Sequence, residues 1–371
     1  RMQVLGDEML TWNEMGQFAT VTSLEAESIY NSGFNLTRYI ADKYGEDKLM
    51  KISKSLGDLT NFSMDKAMDD VIGKDGDALY NEWKSYLKSD YENRVSRLKS
   101  EKIEGRLIEK EGFANYYPIY SPDGTKIAYI SNQDYDYGTA GLMIYDVAKG
   151  TSKAIMGPVG SAFSWSPDGK KILFSKRNTP NLEHISLYDL YEYDLDKDEE
   201  TQLTHARRSY YPSYSKDGSK IVYVVNNDGS LNLEVADSKG NNPQILTFFD
   251  NGEQVFNPKF SPDGKKIYFD YAFEHNRDIA VMDLETKDID YLFEDPDVDT
   301  RTASFSPDGS KMFFASDRTG IFNIYSYDMT TSEVKQLTNV LGGAFMPSVD
   351  GNGNLAYSSF EPTGYKIALL N

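Results

Sequence analysis

Ser121-Pro122-Asp123-Gly124 is repeated as Ser166-Pro167-Asp168-Gly169, Ser261-Pro262-Asp263-Gly264 and Ser306-Pro307-Asp308-Gly309. A fifth copy, Ser215-Lys216-Asp217-Gly218, carries lysine for proline, and Val349-Asp350-Gly351 is a decayed sixth. The aspartates at 123, 168, 217, 263, 308 and 350 recur on a period of about 45 residues, a spacing that chance does not give a tetrapeptide. An aromatic residue precedes each of the first five copies: Tyr120, Trp165, Tyr214, Phe260 and Phe305. A run of lysine, apolar residue, any residue and aromatic follows, ending at Tyr129, Phe174, Tyr223, Phe269 and Phe314. Proline fixes φ at the first corner, aspartate accepts a local hydrogen bond and glycine takes the left-handed position. Each copy therefore predicts a tight hairpin between two strands, each with one buried face.

Third strands are predicted at 142–147, 186–191, 231–236, 279–284 and 323–327, and fourth strands at 153–156, 201–203, 244–246, 290–293 and 335–337. Four strands per unit, six times over, make a mainly β chain with a six-bladed β-propeller. The last unit offers only 345–349, 354–357 and 366–370 before the sequence ends. The strand it lacks is available at 106–110, so the spacing predicts that the ring closes by a 1+3 blade, with 106–110 paired beside 366–370. Packing of each blade on its neighbours protects the sheet edges.

The first hundred residues follow a helical period. Ile29, Phe34, Leu36, Tyr39 and Ile40 lie within 28–44, ended by Gly45; 49–56 is a short helix ended by Gly57. Ser63 caps 64–72 ahead of Gly73, and Asp77 opens a longer helix with Leu79, Trp83, Tyr86, Leu87 and Tyr91 on its apolar stripe. The charged stretch from Lys88 to Gly105 reads as the connection between domains. The expected organisation is a small helical domain at 1–98, a linker at 99–105 and the propeller at 106–371.

The 371 residues include 39 Lys and Arg against 58 Asp and Glu, a formal charge of −19. Nucleic acid and anionic membrane surfaces both call for a cationic stripe, which is lacking. No apolar run approaches the length of a membrane-spanning helix. The absence of cysteine removes disulfides, thiolate metal sites and cysteine nucleophiles together. Aromatic residues make up 13%, in keeping with a β-rich body. Arg1 opens no charged-then-apolar leader pattern, so the chain is expected to be a C-terminal piece of a larger protein.

The Ser-Pro-Asp-Gly units resemble the TolB-like propeller repeat, over about residues 106–371. That resemblance implies a six-bladed, WD-repeat-like fold in an exported protein, periplasmic or extracellular. The first 98 residues resemble the C-terminal helical part of a gluzincin, a thermolysin-like zinc metallopeptidase. The resemblance rests on Tyr30-Asn31-x-Gly33-Phe34, Arg38-Tyr39-Ile40, the run Tyr44-Gly45-Glu46-Asp47-Lys48-Leu49, and Ala67, Gly73, Trp83 and Tyr86-Leu87. Gluzincins hold zinc with His-Glu-x-x-His and a downstream glutamate. This chain's three histidines, His184, His205 and His275, all lie within the propeller and none begins that motif, so any zinc would belong to an upstream part of the parent protein. Glu14, in Trp12-Asn13-Glu14-Met15-Gly16, stands one residue early for the third ligand and reads as a solvated carboxylate.

The three histidines fall in loops that a propeller gathers on one face. They are candidates for a metal or a polyanionic sugar, as in the similar propeller of oligogalacturonate lyases, against the plain reading of ordinary loop residues. The same face carries Arg207, Arg208, Tyr210, Tyr211, Arg277, Arg301 and Arg318, residue types that dominate binding hot spots. A cationic rim there would seat a carboxylate or acidic peptide; the plain alternative is salt bridging within the blades. Asp194-x-Asp196-x-Asp198 lacks the glycine of a calcium loop and reads as a solvated hairpin. No Gly-x-Ser-x-Gly elbow is present. The expected role is binding of a protein, peptide or glycan through the loop face, without a cofactor, alongside the upstream peptidase part. The competing expectations are a metal-dependent propeller lyase or hydrolase and a structural assembly subunit.

Overall fold

The computed structural model describes residues 1–58, 61–133, 135, 139–274 and 276–371, with Ser23 described by its backbone alone. In all five copies of the turn the glycine amide donates to the serine carbonyl at 2.8–2.9 Å. Each glycine holds φ between 69° and 77°. The serine Oγ donates to the aspartate Oδ1 at 2.5–2.6 Å and accepts the lysine amide five residues on at 2.9–3.0 Å. Lys216 in place of proline leaves this pattern unchanged. In the sixth copy Asp350 Oδ1 accepts the amides of Asn352 and Asn354, and the left-handed position moves from Gly351 to Gly353, at φ 90°.

Behind each turn the same aromatic is locked in the core. Tyr129, Phe174, Tyr223, Phe269, Phe314 and, in the sixth unit, Tyr357 are all 0–1% exposed. A buried phenol needs a partner. Tyr129 donates to Glu109 at 2.6 Å, Tyr223 donates to Glu234 at 2.6 Å, and Tyr357 accepts the Gly105 amide at 2.7 Å.

The strands form six antiparallel four-stranded sheets. Blade 1 is Asn115–Tyr120, Lys126–Ser131, Gly141–Asp146 and Thr151–Met156; blade 2 is Ser164–Trp165, Lys171–Arg177, Tyr188–Asp194 and Glu199–Gln202. Blade 3 is Ser209–Tyr214, Lys220–Asn227, Ser230–Asp237 and Gln244–Ile245; blade 4 is Gln254–Phe260, Lys266–Ala272, Arg277–Asp283 and Ile289–Tyr291. Blade 5 is Thr300–Phe305, Lys311–Ser316, Asn323–Asp328 and Val334–Gln336. Blade 6 takes Ala344–Val349, Leu355–Glu361 and Gly364–Leu370 from the end of the chain and Arg106–Glu109 from the start of the ring. Arg106 pairs with Leu369 and Leu107 with Ala368, the 1+3 closure that the spacing predicts.

A threonine clamp, not anticipated from sequence, turns the chain from one blade to the next. Thr204, Thr247 and Thr338 each accept a third-strand amide at 2.9 Å, from Leu190, Leu233 and Ile324. Each donates in turn to Asp189, Asn232 or Asn323 on that strand.

The chain divides into two compact units, Arg1–Glu101 and Lys102–Asn371. The first holds α1 (Met2–Leu5), α2 (Ser23–Tyr44), α3 (Glu46–Leu56), α4 (Met64–Ile72) and α5 (Gly76–Ser100) around Leu36, Ile40, Met68, Leu79 and Trp83. Thr22 and Glu25 form a capping box on α2, and Ser63 caps α4 ahead of left-handed Gly73. Four expectations need correction. Phe34 is 70% exposed, because five residues beyond Ile29 carries it about 140° round the helix, and Tyr86, expected on the apolar stripe of α5, is 51% exposed. Asp75, accepting the Ala78 amide, caps α5 in place of Asp77. The charged stretch from Lys88 continues as helix to Ser100, since its charges sit on a solvated face. Glu14 accepts the Thr11 amide and hydroxyl at 2.7 and 2.8 Å, which lowers its pKa.

Candidate functional site: the propeller mouth and channel

The first strand of each blade lines the channel, and in five blades it is bent. Register slips between Tyr116 and Ile119, Tyr210 and Ser213, Phe256 and Lys259, Arg301 and Ser304, and Phe345 and Ser348. Inside each slip one residue takes positive φ: Tyr117 at 54°, Tyr211 at 51°, Asn257 at 49°, Thr302 at 61° and Met346 at 55°. None is glycine, so each such residue costs on the order of 1–2 kcal/mol. The same strain repeated five times around an axis is a feature of the ring that surrounding structure enforces.

Tyr117, Asn257, Thr302 and Met346 line one cavity of about 60 Å³, together with Lys259 and Ser304. Beneath it Asp270 is wholly buried. Its carboxylate accepts the Asn257 side-chain amide at 2.8 Å and the Thr302 backbone amide at 2.7 Å. Burial pushes the Asp270 carboxyl up to about 6, against the pull of these two bonds and of Arg277 and Arg301. Desolvation takes the Lys259 ammonium down to about 8, partly offset by Asp270. Burial raises the Tyr117 and Tyr211 phenols. Two buried polar atoms at this level, Asn257 Oδ1 and Ser304 Oγ, have no hydrogen-bond partner among the described residues.

Above the cavity, half-buried aromatic rings surround the mouth together with half-buried Arg277 and Arg301 and exposed Arg177. Arg277 lies 4.0 Å from the Phe256 ring centroid, and Phe256 meets Tyr211 edge-on at 5.7 Å. Arg301 lies 4.6 Å from Phe322, which continues through Phe345 and Tyr365 to Tyr116 with centroids 4.8–5.7 Å apart. Tyr210 packs on Tyr188 at 5.1 Å, and Arg177 covers Tyr188 at 5.4 Å. Guanidinium over an aromatic face holds each charge in place at the edge of the opening.

The structure therefore brings Tyr211, Arg277 and Arg301 together around Asp270, with Tyr210 beside them on the rim. Arg301 is also held by Asp299 at 2.5 and 2.7 Å. Arg207 is drawn into blade 3, bonding the buried Glu234 at 2.5 and 3.2 Å. Arg318 lies among Phe293, Phe314 and Tyr325 at 4.9–5.4 Å. His184, His205 and Arg208 are exposed loop residues. His275 lies outside the described residues. Among the described residues no three His, Asp or Glu side chains are grouped to hold a metal ion. On the helical unit a groove of about 810 Å³ contains Glu82, whose carboxylate is already taken up by Tyr39, Tyr44, Lys43 and Lys74.

Lys259, Asp270, Asn257, Tyr117 and Ser304 were missed from sequence, although aligning the repeats marks two of them. The place of Lys259 is taken in the other blades by Ile119, Ser164, Ser213, Ser304 and Ser348. That of Asp270 is taken by Ile130, Ser175, Val224, Ala315 and Ser358. Blade 4 alone puts charge at both.

The description "TolB beta propeller domain" (PD40) matches residues 90–255 and 188–370 of this chain. The "Uncharacterized protein Atu1656" of Agrobacterium fabrum is 27% identical over 206 residues, 52% of this chain and 67% of that protein. The Tol-Pal system protein TolB of Francisella tularensis subsp. mediasiatica is 27% identical over 154 residues, 41% of this chain, so the match spans only 34% of that protein's length. The structure of a putative TolB from Agrobacterium tumefaciens superposes with a TM-score of 0.53 at 21% identity, over 63% of this chain and 85% of that one. At that identity the likeness is one of fold. No helix among the described residues is long and apolar enough to cross a membrane.

Proposed function

The chain belongs to the TolB β-propeller family, and on that footing we propose that it is a non-catalytic binding module whose mouth face receives an extended segment of a protein partner. The observation that carries this reading is the ring of arginine and aromatic side chains around the opening, above a strained and partly desolvated polar floor. Arginine, tyrosine and phenylalanine anchored by one another lose little freedom on binding, which is what a hot spot requires. In a chain of charge −19 the guanidinium groups of Arg277 and Arg301 also favour a partner segment with acidic residues. Exported location, in the periplasm or outside the cell, goes with the resemblance to TolB-like repeats.

For the helical unit we propose that it is the end of a gluzincin-like peptidase domain to which the propeller presents substrate. The motif resemblance from Tyr30 to Leu87 is its support. A His-Glu-x-x-His pair encoded ahead of Arg1 is the expected finding, and without it the peptidase link falls.

Random peptides displayed against the whole chain test the binding reading. Selected peptides are expected to lose about tenfold or more in affinity to R277A and Y211A, with H184A unchanged. Peptides that bind both rim variants as well as wild type would sink it. So would oligosaccharide cleavage that depends on His205 and an added divalent metal, which would favour the lyase alternative.

A further inference from the structure

The floor of the channel holds side-chain polar atoms that have no hydrogen-bond partner among the described residues. Asn257 is 4% exposed, and its Nδ2 must face Asp270, because an ionised carboxylate only accepts. Its Oδ1 is thereby left without a donor, as is the Ser304 hydroxyl without any partner. Lys259, half-buried, lines the same cavity and makes no hydrogen bond or ion pair among the described residues. An unpaired buried acceptor is costly, and an occupant of matching polarity relieves that cost.

What fits follows from counting donors and acceptors. Asn257 Oδ1 calls for a donor and Lys259 for an acceptor, while the hydroxyls of Ser304 and of Tyr117, whose phenol lies beside the Asn257 side chain, take either. A carboxylate has no donor for Asn257 and would add negative charge close to Asp270. A cation would meet Lys259, with Arg277 and Arg301 above it. A hydroxyl satisfies the atoms but fills little of a cavity of about 60 Å³. A planar carboxamide supplies two donors and a carbonyl, and its bulk suits the space. Tyr117, Thr302 and Met346 are only half-buried, so the cavity is reached from the channel.

We propose that the cavity bounded by Asn257, Lys259 and Ser304 receives the side-chain carboxamide, glutamine or asparagine, of the partner segment bound at the mouth. Its N–H donates to Asn257 Oδ1 and its carbonyl accepts from Lys259 and Ser304. The inference rests on the binding reading above and names the group by which the partner is anchored.

The test uses the whole chain with ¹³C-methyl methionine, because Met346 lines the cavity. Acetamide, and separately its isostere acetate, is titrated while the Met346 methyl resonance, assigned through M346L, is followed. Acetamide is expected to shift that resonance saturably and more tightly than acetate. K259M should weaken it by about tenfold or more, and S304A by less. Acetate binding as tightly as acetamide, a K259M variant that binds normally, or no saturable shift (a cavity holding water only) would each overturn the proposal. If rim variants still abolish peptide binding in that event, the mouth reading stands and only this anchor is lost.

Discussion

Asp270 joins two residues whose backbones both lie at positive φ, Asn257 and Thr302, and so ties the bends of blades 4 and 5 together. Its carboxyl titrates at about 6 when folded, above the ordinary 3.8. A folded chain that holds this proton longer than the unfolded one is favoured below about pH 4. It loses that advantage as pH climbs through about 6 and stays at the lower value beyond. The contribution amounts to about 3 kcal/mol. Urea unfolding of wild type and D270N at pH 4 and pH 7 should show the difference between them changing by about that amount, with wild type relatively better at pH 4. Lys259 works in the opposite sense. Its depressed pKa means the folded chain gives up the proton first, so wild-type stability rises between about pH 8 and pH 10.5. K259M should therefore stabilise the protein by about 1–3 kcal/mol at pH 7, a gain that fades above about pH 10.5.

At the scale of the hairpin, serine, aspartate and glycine divide the work of the turn. The glycines differ in what surrounds them. A Cβ at Gly264 would meet nothing within 4 Å, whereas one at Gly309 would lie 2.5 Å from Pro262 of the preceding blade. G264A should cost about 1 kcal/mol, the backbone term alone, and G309A clearly more; melting temperatures of the two variants check this. T247A leaves the buried Leu233 amide without its acceptor and should cost about 1–3 kcal/mol in urea unfolding. Hairpins and buried aromatics were legible because both are local and recur in register. The threonine clamp was not read, though Gln-Leu-Thr at 202–204 and 336–338 and Ile-Leu-Thr at 245–247 stand in the sequence. The hydroxyl's role depends on a third-strand partner that periodicity does not show.

The ring as a whole is held shut by one short strand. Arg106–Glu109 pairs with Gly364–Leu370, Glu109 accepts from Tyr129, and Lys366 Nζ donates to the Lys110 carbonyl at 2.7 Å and to that of Gly112. Burial pushes the Glu109 carboxyl up, but bonds from Tyr129, the Glu111 amide, Ser152 and the Lys110 amide outweigh it and leave its pKa lowered. Deleting residues 102–110 removes this closure and bares the edge of Gly364–Leu370. The expected result is a loss of about 3 kcal/mol or more in urea unfolding, with concentration-dependent association in sedimentation. Retention of wild-type stability would mean that the ring does not depend on the closing strand.

Blade number, hairpin chemistry and the borrowed closing strand were determined by the sequence itself, because each follows from a repeat and its spacing. Arg277, Tyr211 and Arg301 were legible as residue types on one face, but not as neighbours. Only the tertiary structure decided the channel floor. Tyr117, Asn257, Thr302 and Met346 come from blades 1, 4, 5 and 6, and they meet because ring closure turns the bent first strand of every blade toward one axis. Periodicity records which face of a strand is buried. It carries no record of which polar atoms are left without partners once six such faces converge.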